Sequence, residues 1–155
     1  MAQDARESLV EEFGLHIGRA MGWPPLAGRA AGVLMLSEVP LTLAQLQETL
    51  GASKGSASEM TRLLITNGTV ERFKEPGSRQ FLFRWREDAW AGCLRHILGM
   101  TSQLRELADS AQDRGARLPP ELRDRVRDMQ EYYRFMVGGL EKLLGEYTAL
   151  RDGKP

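Results

Sequence analysis

Apolar residues recur every three or four positions over most of this chain, and every second position in one short stretch. From Met1 to about Met21 a stripe of Leu9, Phe13, Ile17 and Ala20/Met21, with Glu7, Glu11 and Glu12 mostly on another face, predicts an amphipathic helix. Gly14 and Gly18 lie four apart within it. They are either two weak points or the place where another helix comes close. Trp23-Pro24-Pro25 ends the run, because proline lacks an amide donor and restricts the residue before it. Leu26 to Ser37 resumes as a helix whose Leu26, Ala30, Val33, Leu34 and Leu36 require burial on most sides.

Glu38-Val39-Pro40-Leu41 is a short linker with room for a small strand. Thr42 to Val70 then reads as two short helices and a tight turn. A hydroxyl at Thr42 can cap a helix carrying Leu43, Leu46 and Leu50, and Gly51 suits its left-handed C-terminal cap. Ser53 caps the next helix. Ala57 and Leu64, with Met60 or Thr61 less regularly, form its inner face, while Ser58, Glu59 and Arg62 fall outside. Asn67-Gly68 stops it. Val70 to Lys74 is a strand, Glu75-Pro76-Gly77-Ser78 a turn, and Arg79 to Trp85 the alternating stretch. Arg79, Phe81, Phe83 and Trp85 share one face of it, and Gln80, Leu82 and Arg84 the other. Two helices at this spacing followed by a two-stranded ribbon predict a winged helix-turn-helix over residues 26–86, with Ser53 to Asn67 entering a DNA major groove.

Two longer helices follow. Glu87 to about Gln112 carries Trp90, Leu94, Ile97, Leu98, Met100, Leu104 and Leu107. Leu118-Pro119-Pro120 interrupts, and Glu121 to about Leu150 continues the apolar pattern through Val126, Tyr133, Val137, Leu140 and Leu144. Gly138-Gly139 is where that helix would bend, and residues 151–155 read as a frayed tail. The fold class is therefore mainly α with a small β wing: a winged helix-turn-helix flanked by long dimerisation helices, residues 1–22 and 87–150, in a single domain of residues 1–155. The module has its own core, so the long stripes have little of their own chain to cover. A homodimer is the economical solution. It would also set two recognition helices roughly 34 Å apart, as a palindromic double-stranded DNA operator requires.

Charge changes this picture little. Acidic and basic residues number 21 each, so the net charge is zero, whereas duplex binders usually carry a basic excess. Between Thr42 and Arg86 seven basic residues (Lys54, Arg62, Arg72, Lys74, Arg79, Arg84, Arg86) against four acidic ones (Glu48, Glu59, Glu71, Glu75) leave an excess of three. A winged-helix protein-interaction module without specific DNA binding is the alternative that the neutral total and Glu59 favour. Cys93 is the single cysteine, which excludes an internal disulfide and a multi-cysteine metal cluster. The charged N-terminus lacks a signal-peptide core, and no run is long enough to span a bilayer, so no membrane partner and a cytoplasmic location are expected. Paired catalytic carboxylates, a phosphate-binding glycine loop and zinc-ligand spacing are all missing. The chain is expected to be no enzyme and to need no metal or cofactor.

The candidate DNA-binding residues are Ser53, Lys54, Gly55, Ser56, Ser58, Glu59, Arg62, Lys74, Arg79 and Arg84. Ser53 and Ser56, beside the free amides of a helix N-terminus, can meet phosphate, although Ser53 is a cap in either case. Lys54 is a phosphate contact or an ordinary solvated lysine. Gly55 allows close approach of the DNA backbone or is a tolerated defect. Ser58, Glu59 and Arg62 are best placed for base edges, and Arg62 could touch phosphate instead. Arg79, at the wing tip, suits a narrow minor groove, or is a free turn arginine. Arg29 is either salt-linked to a nearby glutamate or a phosphate contact. The aromatic residues Trp23, Trp90, Tyr132 and Tyr133, with Cys93, are core and interface residues or the lining of an effector pocket. Such a pocket, between the module and the terminal helices, would suit an organic cation. Cys93 and His96 share a helix face but lack a further ligand for a metal.

The run Met21-Gly22-Trp23-Pro24-Pro25-Leu26-Ala27-Gly28-Arg29, with Leu50-Gly51-Ala52-Ser53-Lys54-Gly55-Ser56-Ala57-Ser58 and the wing turn Pro76-Gly77-Ser78-Arg79, resembles the GbsR-type branch of the MarR-like winged-helix regulators. The resemblance covers roughly Phe13 to Trp85. It implies a dimeric transcription factor, a repressor that senses a small molecule, with choline as the analogy from the name-giving member. Thr61 stands where the family usually has a larger apolar residue, so the recognition helix is expected to pack less firmly. Thr69 stands where leucine is usual.

Overall fold

A computed structural model describes residues 1–154. They divide into two compact units, Met1–Trp90 and the residues from Ala91 onward. The first holds α1 (Ala2–Met21), α2 (Pro25–Met35), β1 (Leu41–Thr42), α3 (Leu43–Leu50), α4 (Lys54–Asn67), β2 (Val70–Phe73) and β3 (Leu82–Trp85). Helix α5 (Ala89–Arg114) begins at its end, and α6 (Pro120–Asp152) follows. The fold is mainly helical with a small three-stranded wing, a winged helix-turn-helix with long flanking helices.

Helix α1 stops at Gly22, whose φ of 67° only glycine adopts without strain, and Pro25 opens α2. The two helices meet through glycines. A Cβ on Gly28 would lie 2.6 Å from the Phe13 carbonyl oxygen and 2.9 Å from the Gly14 Cα, and one on Gly14 would strike the Arg29 side chain. Of the two sequence readings, close approach is the one realised at Gly14, and the neighbour is α2 of the same chain. Arg29 takes the structural role: its Nε donates to Glu11 Oε1 (2.9 Å) and an Nη to the Leu50 carbonyl (3.2 Å). One side chain thus ties α1, α2 and the end of α3.

Thr42 and Gln45 form a reciprocal capping box at the start of α3, and Gly51 ends it at φ 61°. Ala30, Leu34, Leu46, Leu50, Met60, Leu64, Val70 and Phe83 make the core, so α2, the helix-turn-helix and the wing close over one another. The sheet order is β1-β3-β2, all antiparallel. The alternation from Arg79 is realised as strand only from Leu82. The Gln80 amide donates to Ser78 Oγ (3.1 Å) and is lost to the ladder, and β2 ends at Phe73 rather than Lys74. The small strand of the 38–41 linker region is Leu41–Thr42, paired with Phe83 and Leu82.

In the second unit, Gly115 and Leu118 make the turn between α5 and α6, and the Asp109 carboxylate on α5 accepts from Gln130 (2.6 Å) and Arg134 (3.1 Å) on α6. Helix α6 runs unbroken through Gly138 and Gly139. It reaches Asp152, so Arg151 and Asp152 of the expected frayed tail are helical, and Pro155 lies outside the described residues. Leu104, Leu107, Leu122, Phe135, Leu143 and Leu150 remain exposed. No helix among the described residues is long and apolar enough to cross a membrane.

Candidate nucleic-acid interface

Helix α4 is built to show its outer face. Ser53 adopts an extended backbone, and its Oγ accepts the Ser56 amide at 3.1 Å, while Gly68 ends the helix at φ 86°. Ala57, Met60, Thr61 and Leu64 are buried. Thr61 does not leave a poorly filled seat. Its hydroxyl donates to the Ser58 carbonyl (2.9 Å), so the polar atom is satisfied within its own helix and the side chain packs at 2% exposure. The Thr69 hydroxyl likewise shares its one proton between the Leu64 carbonyl (3.4 Å) and Asn67 Oδ1 (3.3 Å), closing the helix end.

Lys54, Gly55, Glu59 and Arg62 are exposed together on the first turns of α4, with Ser53 before them, and Ser56 and Ser58 half-buried beside them. Arg62 Nε is 3.4 Å from the Ser58 carbonyl. Lys54 and Arg79 make no ion pair among the described residues. A Cβ built on Gly55 would meet nothing within 4 Å, so packing within this chain does not demand the glycine.

In the wing, Arg79 is exposed in the turn around Gly77, whose φ is 81°. Arg84 is engaged locally: it pairs with Glu71 across the strands and its guanidinium lies 4.3 Å from the Phe73 ring centroid. Arg72 and Phe81, not singled out from the sequence, complete the surface. The Arg72 guanidinium and the Lys74 ammonium lie 4.1 Å and 4.3 Å from the centroid of the Phe81 ring. The signal was present, two cations two apart at the end of a strand and an aromatic residue across the turn, but it depends on the register.

The effector candidates fall in both units. In the first, Trp23 is half-buried against the core, and Trp90 is half-exposed with its ring edge-on to Trp85 at 5.6 Å. In the second, Tyr132 and Tyr133 are edge-on at 5.0 Å and Cys93 is half-buried. Two clefts open on the first unit, one of about 610 Å³ beside Trp85, Arg86 and Asp88, the other of about 710 Å³ beside Glu11, Arg29 and Thr49. Neither is lined by Trp23 or Trp90. In the first cleft Arg86 donates twice to Asp88 (2.8 and 3.2 Å), which pushes the already high arginine pKa further up. Among the described residues no group of three or more His, Cys, Asp or Glu could hold a metal ion.

Comparison with known proteins decides the family. The chain is 32% identical over 124 residues to the HTH-type transcriptional regulator MmpR5 of Mycobacterium tuberculosis, covering 79% of this chain and 75% of that protein. The chain belongs to the MarR family of transcriptional regulators. Residues 88–150, the long helices, match the model of MmpR5-like MarR family transcriptional regulators. The chain is also 27% identical over 139 residues to the HTH-type transcriptional repressor OpcR of Bacillus subtilis, covering 82% of this chain and 74% of that one. A crystal structure of a transcriptional regulator superposes with a TM-score of 0.85 at 29% identity, over 94% of this chain and 99% of that one. As a MarR-family member the chain is a non-catalytic, DNA-binding transcriptional regulator.

Proposed function

We propose that this MarR-family regulator is a homodimeric repressor of the GbsR-type branch, which holds a palindromic operator and releases it when a small molecule binds. The observation that carries the DNA-reading part is the open start of α4. Gly55 meets no neighbour there, and Lys54 and Arg62 stand exposed around it. In this reading Ser53, Lys54 and Ser56 contact phosphate, with Gly55 letting the DNA backbone approach. Ser58, Glu59 and Arg62 face base edges, and Arg79 enters the minor groove, flanked by Lys74 and Arg84. Glu59 is tolerated where it accepts from a cytosine amino group or pairs with Arg62. The Met21–Arg29 and Leu50–Ser58 motifs support the branch. The MmpR5-like match lies in the other part of the chain.

The exposed leucines of α5 and α6 and Phe135 support a homodimer through residues 87–150, with α1 contributing its exposed Leu9, Leu15 and Met21. An organic cation is the effector class that Trp23, Trp90, Tyr132 and Tyr133, with Cys93, would suit. Release requires only that the ligand bind one dimer geometry more tightly than the other, by about 1–3 kcal/mol. Selection of bound sequences from random duplex DNA tests the core of this reading. An inverted repeat with half-sites about one turn apart is the expected product. Enrichment of single, unrepeated sites would refute the palindromic dimer.

A further inference from the structure

The register divides the wing into two chemically different faces. Directly opposed residues of an antiparallel pair share a side, so Val70 and Arg72 lie with Trp85 and Phe83, and Glu71 and Phe73 with Arg84 and Leu82. On the second face the cation is neutralised, since Arg84 pairs with Glu71. The first face begins in the core with buried Val70 and Phe83, against which α4 contributes Met60 and Leu64. Past the core edge it continues as Arg72, Phe81 and Lys74. Neither cation there has an ion-pair partner among the described residues, and both are exposed. Two like charges gathered on one ring repel each other and gain nothing from a carboxylate. The arrangement suits an anion arriving from outside, on the side of the wing that faces the core shared with α4.

We propose that Phe81 is a positioning residue for DNA binding, its ring holding Arg72 and Lys74 as a paired clamp on backbone phosphate. The inference rests on the wing's being a DNA contact. Long basic side chains lose rotamer freedom when they dock, and a ring that already restrains them lowers that loss. The ring's π-electrons also attract both cations, at 4.1 Å and 4.3 Å from its centroid. Arg72 and Phe81 thereby join the interface, and Phe81 acts without touching DNA.

The test uses the full chain, a mixed-sequence duplex and a salt series, with Phe81→Leu, Phe81→Tyr, the Arg72→Ala/Lys74→Ala double variant, and the double variant combined with Phe81→Leu. The double variant should weaken binding and flatten the salt dependence by about one unit for each phosphate it no longer neutralises. Phe81→Leu should weaken binding about two- to fivefold, the scale of an exposed cation–π interaction, with the chain still cooperatively folded. Phe81→Tyr should restore it. In the background lacking both cations, Phe81→Leu should have no further effect. An equal loss in both backgrounds, or wild-type binding by Phe81→Leu, overturns the positioning role while leaving the DNA reading intact. A wild-type chain with no salt-sensitive binding would overturn both.

Discussion

At the scale of single residues, two glycines in the same unit make opposite demands. A Cβ on Gly28 would press on the backbone of α1, 2.6 Å from the Phe13 oxygen, where nothing flexible can yield. Gly28→Ala should therefore cost about 1–3 kcal/mol despite alanine's better helix propensity, read as a lower denaturant midpoint. Gly55→Ala enters open space and should leave stability equal or raise it by about 0.5–1 kcal/mol. If the DNA backbone approaches there, the same variant should bind duplex more weakly, and unchanged affinity would remove that role. The cations should separate in the same way. Lys54→Ala should weaken operator and scrambled duplex alike and lower the salt slope by about one unit. Arg62→Ala should cost roughly 1–3 kcal/mol on the operator and much less on random DNA, and Arg79→Ala should hurt most where A·T-rich flanks narrow the groove. Equal losses on both duplexes for Arg62→Ala would move it from base reading to phosphate.

At the scale of elements, the ends of α3 and α4 were legible in the sequence because each is decided by a residue's own chemistry. Thr42 and Ser53 supply cap oxygens, and Gly51 and Gly68 supply left-handed backbone. The start of β3 was less legible, since a hydroxyl at Ser78 competes for the amide that would have extended the ladder. The break between α5 and α6 was legible at Leu118-Pro119-Pro120, but the side-chain bonds that join the two helices were not. There the donated bond from Gln130, reinforced by Arg134 and opposed by partial desolvation, holds the Asp109 carboxyl below its ordinary value. A lowered folded-state value means the carboxylate stabilises the fold above the ordinary aspartate range of about 4. That contribution disappears as pH falls through the lower, folded value. Asp109→Asn should thus melt below the wild type at neutral pH, with the gap closing in acid. A gap independent of pH would show that the charge is not responsible.

At the scale of the whole molecule, the first unit closes its own core, whereas α5 and α6 leave Leu104, Leu107, Leu122, Leu143 and Leu150 exposed. Exposed apolar surface of this kind marks a contact site, and in the proposed homodimer a second chain covers it. Sedimentation at micromolar concentration should give a dimer, and Leu107→Glu, at a half-exposed α5 position, should shift it toward monomer without loss of helical signal. A wild-type monomer would remove the geometric basis for a palindrome.

Periodicity, caps and turn residues by themselves determined the order of elements, the winged helix-turn-helix and the outer face of α4, because hydrogen bonding at a helix end and the spacing of apolar side chains are local properties. The same spacing put Ser58, Glu59 and Arg62 on that face, where Glu59 and Arg62 are exposed and Ser58 is half-buried. Only the tertiary structure decided which glutamate Arg29 takes, which helix fits against Gly14, that Thr61 satisfies its hydroxyl in place, and that Phe81 gathers Arg72 and Lys74 while Arg84 turns to Glu71. Apart from Thr61, these choices join residues distant in the chain. They follow from strand register and from how closely two helix backbones can approach, and neither is visible in the spacing of one segment.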